Sequence, residues 1–215
     1  GVGGAVLGTR MIYLISKNNS QLNALAFTFL IGAFGGAIMF YSLIVDSFVM
    51  LLFGAFILGI GQSATLQTRY AASFVASEKF KATALSLAVW FSVFGSVFGP
   101  RMVGSYSNFF ENIFNSELIV GYVIALVGML FAASSLFIFT SKKSILRSPS
   151  NLESESNNQN SNKKNGNLLS LLLVLNHFTM VVIMSATPLH IQDIGETVQL
   201  VGIIISYHTL GMFLF

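Results

Sequence analysis

The sequence predicts an all-α membrane protein, a polytopic bundle of transmembrane helices. Of its 215 residues, 54% are hydrophobic and only 9% are charged, whereas soluble domains carry about 25% charged residues. The mean hydropathy is +0.76. Apolar segments long enough to cross a bilayer also recur along the whole chain. These three observations exclude a soluble domain, and a formal net charge of only +3 argues against nucleic acid as a partner.

Seven apolar segments define the expected spans, since a spanning helix needs about 20 mainly apolar residues. They cover residues 1–16, 22–45, 47–69, 83–104, 118–140, 168–190 and 199–215. The first and last are cut short, so we expect the chain to be a piece of a longer protein. Very short connections follow the first two segments, and these helices should form antiparallel hairpins.

Two longer connections separate the remaining spans. Residues 105–117 are polar but aromatic and should lie at a membrane interface. Residues 141–167 are rich in serine, asparagine and lysine, which predicts a flexible linker. The chain then divides into a partial N-terminal bundle of five spans (1–140), the linker, and the start of a C-terminal bundle (168–215).

The basic residues predict the orientation of the bundle. All but one of the 11 lysines and arginines lie at or beyond span ends on one side, and Arg101 is the exception. The ten are Arg10, Lys17, Arg69, Lys79, Lys81, Lys142, Lys143, Arg147, Lys163 and Lys164. Cytoplasmic loops carry the excess of positive residues. We therefore expect a multi-pass protein of the plasma (inner) membrane with its linker in the cytoplasm.

The fourth segment has the features of a helix that meets another helix closely. Ser92, Gly95, Ser96 and Gly99 are spaced three and four apart, so they share one helix face. Small residues let membrane helices approach each other. Pro100 cannot donate to the carbonyl of Ser96, so the helix should kink or loosen there.

Polar side chains within spans are functional candidates, because they are costly in a membrane. They are Gln62, Gln67, Asn176, His177 and His208. Either histidine could carry a proton, or could simply form a hydrogen bond between helices. Arg69 is explained by snorkelling to the cytoplasmic surface, whereas Arg101 would line the outer mouth of a pathway or bind a lipid headgroup.

The residues argue against an enzyme. All eight carboxylates fall in loops or at span ends, and the chain has no cysteine. The sequence therefore contains no buried acid pair for catalysis and no metal-ligand spacing, and we expect no cofactor.

One motif resembles a known family. Gly95-x3-Gly99-Pro100-x3-Gly104 resembles the antiporter motif in the fifth helix of major facilitator superfamily transporters. Two glycines of that motif are replaced here, by Leu87 and Val103.

Other stretches resemble the same family less completely. Residues 58–63 (LGIGQS) are similar to its fourth-helix motif, but Ala55 stands where that motif has an arginine. Residues 68–72 and 205–212 resemble segments of bacterial drug exporters, whereas residues 12–19 lack the family's loop pattern.

The resemblance implies a bacterial drug:proton antiporter-like protein, with about helices 2–8 of twelve present. Such a protein would move a drug-like or lipophilic small molecule by alternating access, with protons as coupling ion and lipids as its surroundings. Gly95, Gly99, Pro100 and Gly104 would form the interface between the two bundles.

Two alternatives come from other functional classes. A seven-span receptor is one, since Arg69-Tyr70 closes the third span. A non-transporting scaffold or channel is the other. The residues leave the substrate, the direction of transport and the oligomeric state open.

Overall fold

The computed structural model describes residues 2–114, 116, 118–142 and 163–214, and these form seven α-helices and one 3-10 turn. The elements are α1 (Val2–Asn18), α2 (Gln21–Ile44), α3 (Phe48–Val75), the 3-10 turn (Glu78–Phe80), α4 (Lys81–Phe114), α5 (Ile119–Lys142), α6 (Lys163–Asp193) and α7 (Val198–Leu214). Each predicted span corresponds to one helix, so the predicted fold class is confirmed.

Within the described part of the chain, four stretches are long and apolar enough to cross a membrane. They are Gln21–Ile44, Phe48–Ser73, Glu78–Phe114 and Ile119–Thr140. The described parts of helices α1 and α7 have 17 residues each. Within α6, the shorter stretch Val182–Ile191 is apolar.

The two long connections are shorter than the sequence predicts. Helix α4 continues to Phe114, so most of 105–117 is helical. No proline or glycine interrupts this stretch, and Ser107 is buried within it. Residues 141–142 belong to α5 and 163–167 to α6. The rest of the predicted linker, 143–162, lies outside the described residues.

The helices alternate in direction, which gives the bundle two distinct ends. We call one the basic side, where the helix ends carry Lys17, Lys79 and Lys81. The other is the acidic side, where Asp46 and Glu196 lie in the turns between helices. A residue with positive φ lies in each of these two turns: Asp46 (51°) between α2 and α3, and Gly195 (82°) between α6 and α7.

The apolar core lies among α1, α2, α3 and α5. Its buried members are Ile12, Leu22, Ala24, Leu25, Phe29, Ala64, Ala71 and Ala133. Helix α2 is central, because it packs antiparallel against both α3 and α5. Many large apolar side chains face outward from these helices, as expected where lipid rather than water surrounds the protein.

Glycines bring the backbones of this core into direct contact. A Cβ built at Gly32 would lie 2.6 Å from the Cα of Gly61. A Cβ at Gly8 would lie 2.6 Å from the carbonyl oxygen of Ile60. The small residues of α1, α2 and α3 therefore set the distances between these helices, which is how membrane helices associate by packing.

Helix α4 is much less enclosed than α2. Its buried residues are Gly104 and Ser107, and its main neighbour is α7. Two of the functional candidates on α4, Pro100 and Gly104, therefore meet a helix from beyond the predicted linker.

Candidate functional site: the contact between α4 and α7

The two helices meet along their acidic-side halves. A Cβ at Gly104 would lie 2.9 Å from the Cα of Gln199, and one at Gly202 would overlap the carbonyl oxygen of Pro100. One helical turn further, Ser206 reaches Val97. We call the six residues of this contact the α4–α7 crossing: Val97, Pro100, Gly104, Gln199, Gly202 and Ser206.

A hydrogen bond from a side chain of α7 to the backbone of α4 connects the two helices at the crossing. The Ser206 hydroxyl donates to the carbonyl oxygen of Val97 at 2.8 Å, and Ser206 is only 2% exposed. Among the described residues, every other side-chain hydrogen bond stays within one helix or its adjoining turn. The crossing thus differs chemically from the apolar contacts of the core.

A cation lies beside the crossing. The guanidinium carbon of Arg101 is 5.9 Å from the centre of the Tyr207 ring, within range of a cation–π interaction. Both side chains are exposed. Arg101 directly follows Pro100 and is the one basic residue that the sequence does not place on the basic side. Its guanidinium group contacts Tyr207 of α7.

Towards the basic side the lining changes from small residues to large apolar ones. A cavity of about 550 Å³ opens between the two helices there. It is lined by Val89, Trp90, Val93, Phe94, Val97, Phe98 and Leu210. The rings of Phe94 and Phe98 are stacked, with centroids 6.4 Å apart. The site therefore combines a tight crossing at one end with an aromatic, apolar cavity at the other.

Part of the predicted contact face of the fourth segment is left uncovered by the described residues. Among the described residues, no atom lies within 4 Å of a Cβ built at Gly95 or Gly99. Ser92 and Ser96 donate to carbonyls of their own helix. The close approach occurs nearer the acidic side instead, because Gly202 and Ser206 supply the matching small residues of α7 there.

Of the motif residues, Pro100 and Gly104 reach the crossing, and helix α4 runs through Pro100 without interruption. Sequence reasoning missed Gly202 and its partner Ser206 as contact residues. Their spacing of four, with small side chains on one helix face, is the signal that could have identified them.

His208 lies on α7 but faces away from α4. It is exposed and lines a small cavity of about 80 Å³ with α6 residues that include Met184 and Thr187. Asn176 and His177 belong to α6, but their side chains lie outside the described residues.

The candidates on α3 are not brought to the crossing. Gln62 is exposed and Gln67 is half-buried. Arg69 lines a cavity of about 460 Å³ with residues that include Phe29 and Ser92. Arg69 therefore lines a cleft among α2, α3, α4 and α5. Snorkelling to the membrane surface would not by itself place it there.

The chain is similar to two proteins of Bacillus subtilis (strain 168). It is 27% identical over 210 residues to the uncharacterized MFS-type transporter YdeG, covering 93% of this chain and 49% of that protein. It is also 27% identical over 222 residues to the uncharacterized MFS-type transporter YddS, covering 98% and 51% respectively. The chain is a homologue of MFS-type transporters. It spans about half the length of these relatives.

The similarity to these MFS-type transporters extends along nearly the whole chain and is not confined to the glycine–proline motif. No protein-family model matches the chain. No solved structure matches it either. Both relatives carry transporter names, which agrees with the prediction of a non-enzymatic protein and disfavours the receptor and channel alternatives.

Proposed function

We propose that the full-length protein is a secondary active transporter that exports a drug-like or lipophilic compound by alternating access, coupled to protons. The observation that carries this proposal is the shape of the α4–α7 contact, which is tight on the acidic side and open on the basic side. Alternating access requires such asymmetry, because a central site must be closed to one side of the membrane while it is open to the other.

The position of the crossing supports the same proposal. It joins a helix of the proposed N-terminal bundle (1–140) to a helix of the proposed C-terminal bundle (168–215). Relative movement of two bundles has to act on such a contact. With residues 143–162 as a proposed cytoplasmic linker, the basic side is the cytoplasmic side, and the cavity opens towards the cytoplasm.

The lining of the cavity supports the substrate class. Trp90, Phe94 and Phe98 contribute aromatic surface, and Leu210 contributes aliphatic surface from α7. Binding cavities for small molecules are mostly apolar and aromatic. A lipophilic compound that enters from the cytoplasm or the inner leaflet would find such a surface between the helices.

A crosslinking experiment tests alternating access. Asn108 and Val198 line one cavity on the acidic side, and Val93 and Leu210 line the cavity on the basic side. Each pair is replaced by cysteines in the full-length protein, and short bifunctional maleimides are applied to inside-out vesicles. Either crosslink should abolish proton-driven transport of ethidium, a fluorescent lipophilic cation. Ethidium should slow crosslinking of one pair and speed that of the other.

Two results would contradict the proposal. Ethidium transport that continues with both pairs crosslinked would show that the helices need not move. Absence of proton-dependent ethidium transport by the unmodified protein would refute the substrate class.

For proton coupling we propose His208 as the first candidate, with Gln62, Gln67, Arg69, Arg101, Asn176 and His177 as further pathway candidates. Histidine side chains titrate near neutral pH, about 6.5 in model peptides. His208→Gln should flatten the dependence of ethidium transport on pH between about pH 5.5 and about pH 8. His190→Gln, at the exposed end of α6, is the matched control. An unchanged pH profile in His208→Gln would remove His208 from the proton path.

A further inference from the structure

We infer that Ser206 is a positioning residue that holds the acidic-side halves of α4 and α7 together, and that its hydroxyl keeps a partner when they part. The inference rests on the proposed function, because it names the hydrogen bond that would be exchanged during alternating access. The observation behind the inference is that the Ser206 hydroxyl has two acceptors, the carbonyl oxygens of Val97 and Gly202.

The Ser206 hydroxyl lies between two carbonyl oxygens. One belongs to Val97 on α4 at 2.8 Å, and the other to Gly202 on α7 at 2.7 Å. A serine hydroxyl has a single hydrogen to donate. That hydrogen is therefore shared between the two acceptors or alternates between them.

Pro100 lies in the turn of α4 that follows Val97, the acceptor of the bond from α7. Proline has no N–H, and its ring crowds the carbonyl four residues earlier, which is that of Ser96. Val97 supplies the next carbonyl along the same turn, and α4 continues through Pro100. A carbonyl oxygen can accept two hydrogen bonds, and serine hydroxyls of neighbouring helices often satisfy the backbone near a proline in membranes.

Separation of the helices costs little polar energy in this arrangement. When α4 moves away, the Ser206 hydroxyl still has the carbonyl of Gly202 within its own helix. The costly event in breaking a buried hydrogen bond is to leave a donor unsatisfied, and that does not occur here. The bond to Val97 thus stabilises the closed crossing and can be lost and regained.

Thr209 provides an internal comparison on the same helix. It is also buried, but its hydroxyl donates to Ile205 at 2.8 Å and to no other helix. Removal of the Thr209 hydroxyl therefore changes α7 alone, whereas removal of the Ser206 hydroxyl changes the contact between α4 and α7.

The test measures the separation of the helices without using transport. Spin labels are attached at Asn108→Cys and Glu196→Cys, two exposed residues that line one cavity of about 440 Å³ on the acidic side. The described chain has no native cysteine that would also react. Distance distributions are recorded by double electron–electron resonance in the full-length protein reconstituted in lipid.

Ser206→Ala should increase the ratio of separated to closed molecules roughly threefold, the effect of one hydrogen bond between membrane helices. Ser206→Thr, which retains a hydroxyl group, should restore the original distribution. Thr209→Val should leave it unchanged. The thermal unfolding midpoint of each variant is measured in parallel, so that general destabilisation is recognised.

An unchanged distribution in Ser206→Ala would overturn the inference. So would an equal shift in Thr209→Val, since that would show that any buried hydroxyl of α7 has the same effect. The result is separate from the proposed function. If Ser206→Ala shifts the distance distribution but the unmodified protein does not transport, only the proposed export is refuted. If the protein transports but Ser206→Ala leaves the distribution unchanged, only the role of Ser206 is refuted.

Discussion

Two helix contacts in this protein use small residues in different ways. In the contact of α2 with α3, Gly32 and Gly61 meet backbone to backbone, and an apolar core surrounds them. In the α4–α7 crossing, Gly104 and Gly202 also bring the backbones together, but a hydroxyl group joins the two helices and a cavity lies next to the contact. Glycine permits close approach in both cases. The surroundings determine whether the contact is permanent or can be reversed.

The difference follows from what each contact would expose on opening. Separation of α2 from α3 would uncover core side chains such as Leu25 and Phe29 and lose their dispersion contacts, which drive association inside a membrane. Separation of α4 from α7 would uncover small residues and break a hydrogen bond whose donor has a second acceptor. The core contact therefore favours a rigid bundle, and the crossing favours movement.

The largest expected effect comes from breaking the core contact. In Gly32→Ala the new Cβ would lie 2.6 Å from the Cα of Gly61, and backbone atoms cannot move aside locally. Overpacking of this kind costs about 1–3 kcal/mol, which thermal unfolding in detergent would measure. Gly128→Ala is the matched control, because open space surrounds its Cβ. Equal unfolding midpoints for the two variants would contradict the close packing of α2 and α3.

A smaller effect on stability, but a clear one on transport, is expected at the crossing. In Gly202→Ala the new methyl group overlaps the carbonyl of Pro100 and should push α7 away from α4. We expect the initial rate of ethidium export to fall about tenfold, equivalent to about 1.4 kcal/mol, with little change in unfolding. Gly211→Ala on the same helix meets no atom within 4 Å. It should transport normally, and a comparable loss there would argue against the crossing.

The smallest effect is expected at the two glycines that the structure leaves uncovered. Gly95→Ala and Gly99→Ala each place a methyl group where no atom of the described residues lies within 4 Å. Their unfolding midpoints should correspond to changes within about 0.5 kcal/mol. Gly104→Ala, whose Cβ would lie 2.9 Å from the Cα of Gln199, should slow ethidium export as Gly202→Ala does, whereas the other two variants should not. If all three variants were equally impaired, the contact would extend along the whole glycine face, as the sequence predicts.

The sequence by itself determined the class of the protein and the number and order of its helices. Composition and apolar segment length decide this, because the bilayer requires about 20 apolar residues in each span. Lys and Arg are concentrated at the span ends on one side, which predicts the two sides of the bundle. The glycine–proline motif indicated the family that the two relatives are named for. These features depend on local residue content and do not require knowledge of which helices touch.

The tertiary structure decided which small residues form contacts. Spacing indicates that Ser92, Gly95, Ser96 and Gly99 share a face, but whether that face is covered depends on the residues of the facing helix. Ser206 shows the same dependence, because its role follows from the position of Val97, 109 residues away in the chain. A contact between helices is a property of two surfaces, and one segment of sequence describes only one of them.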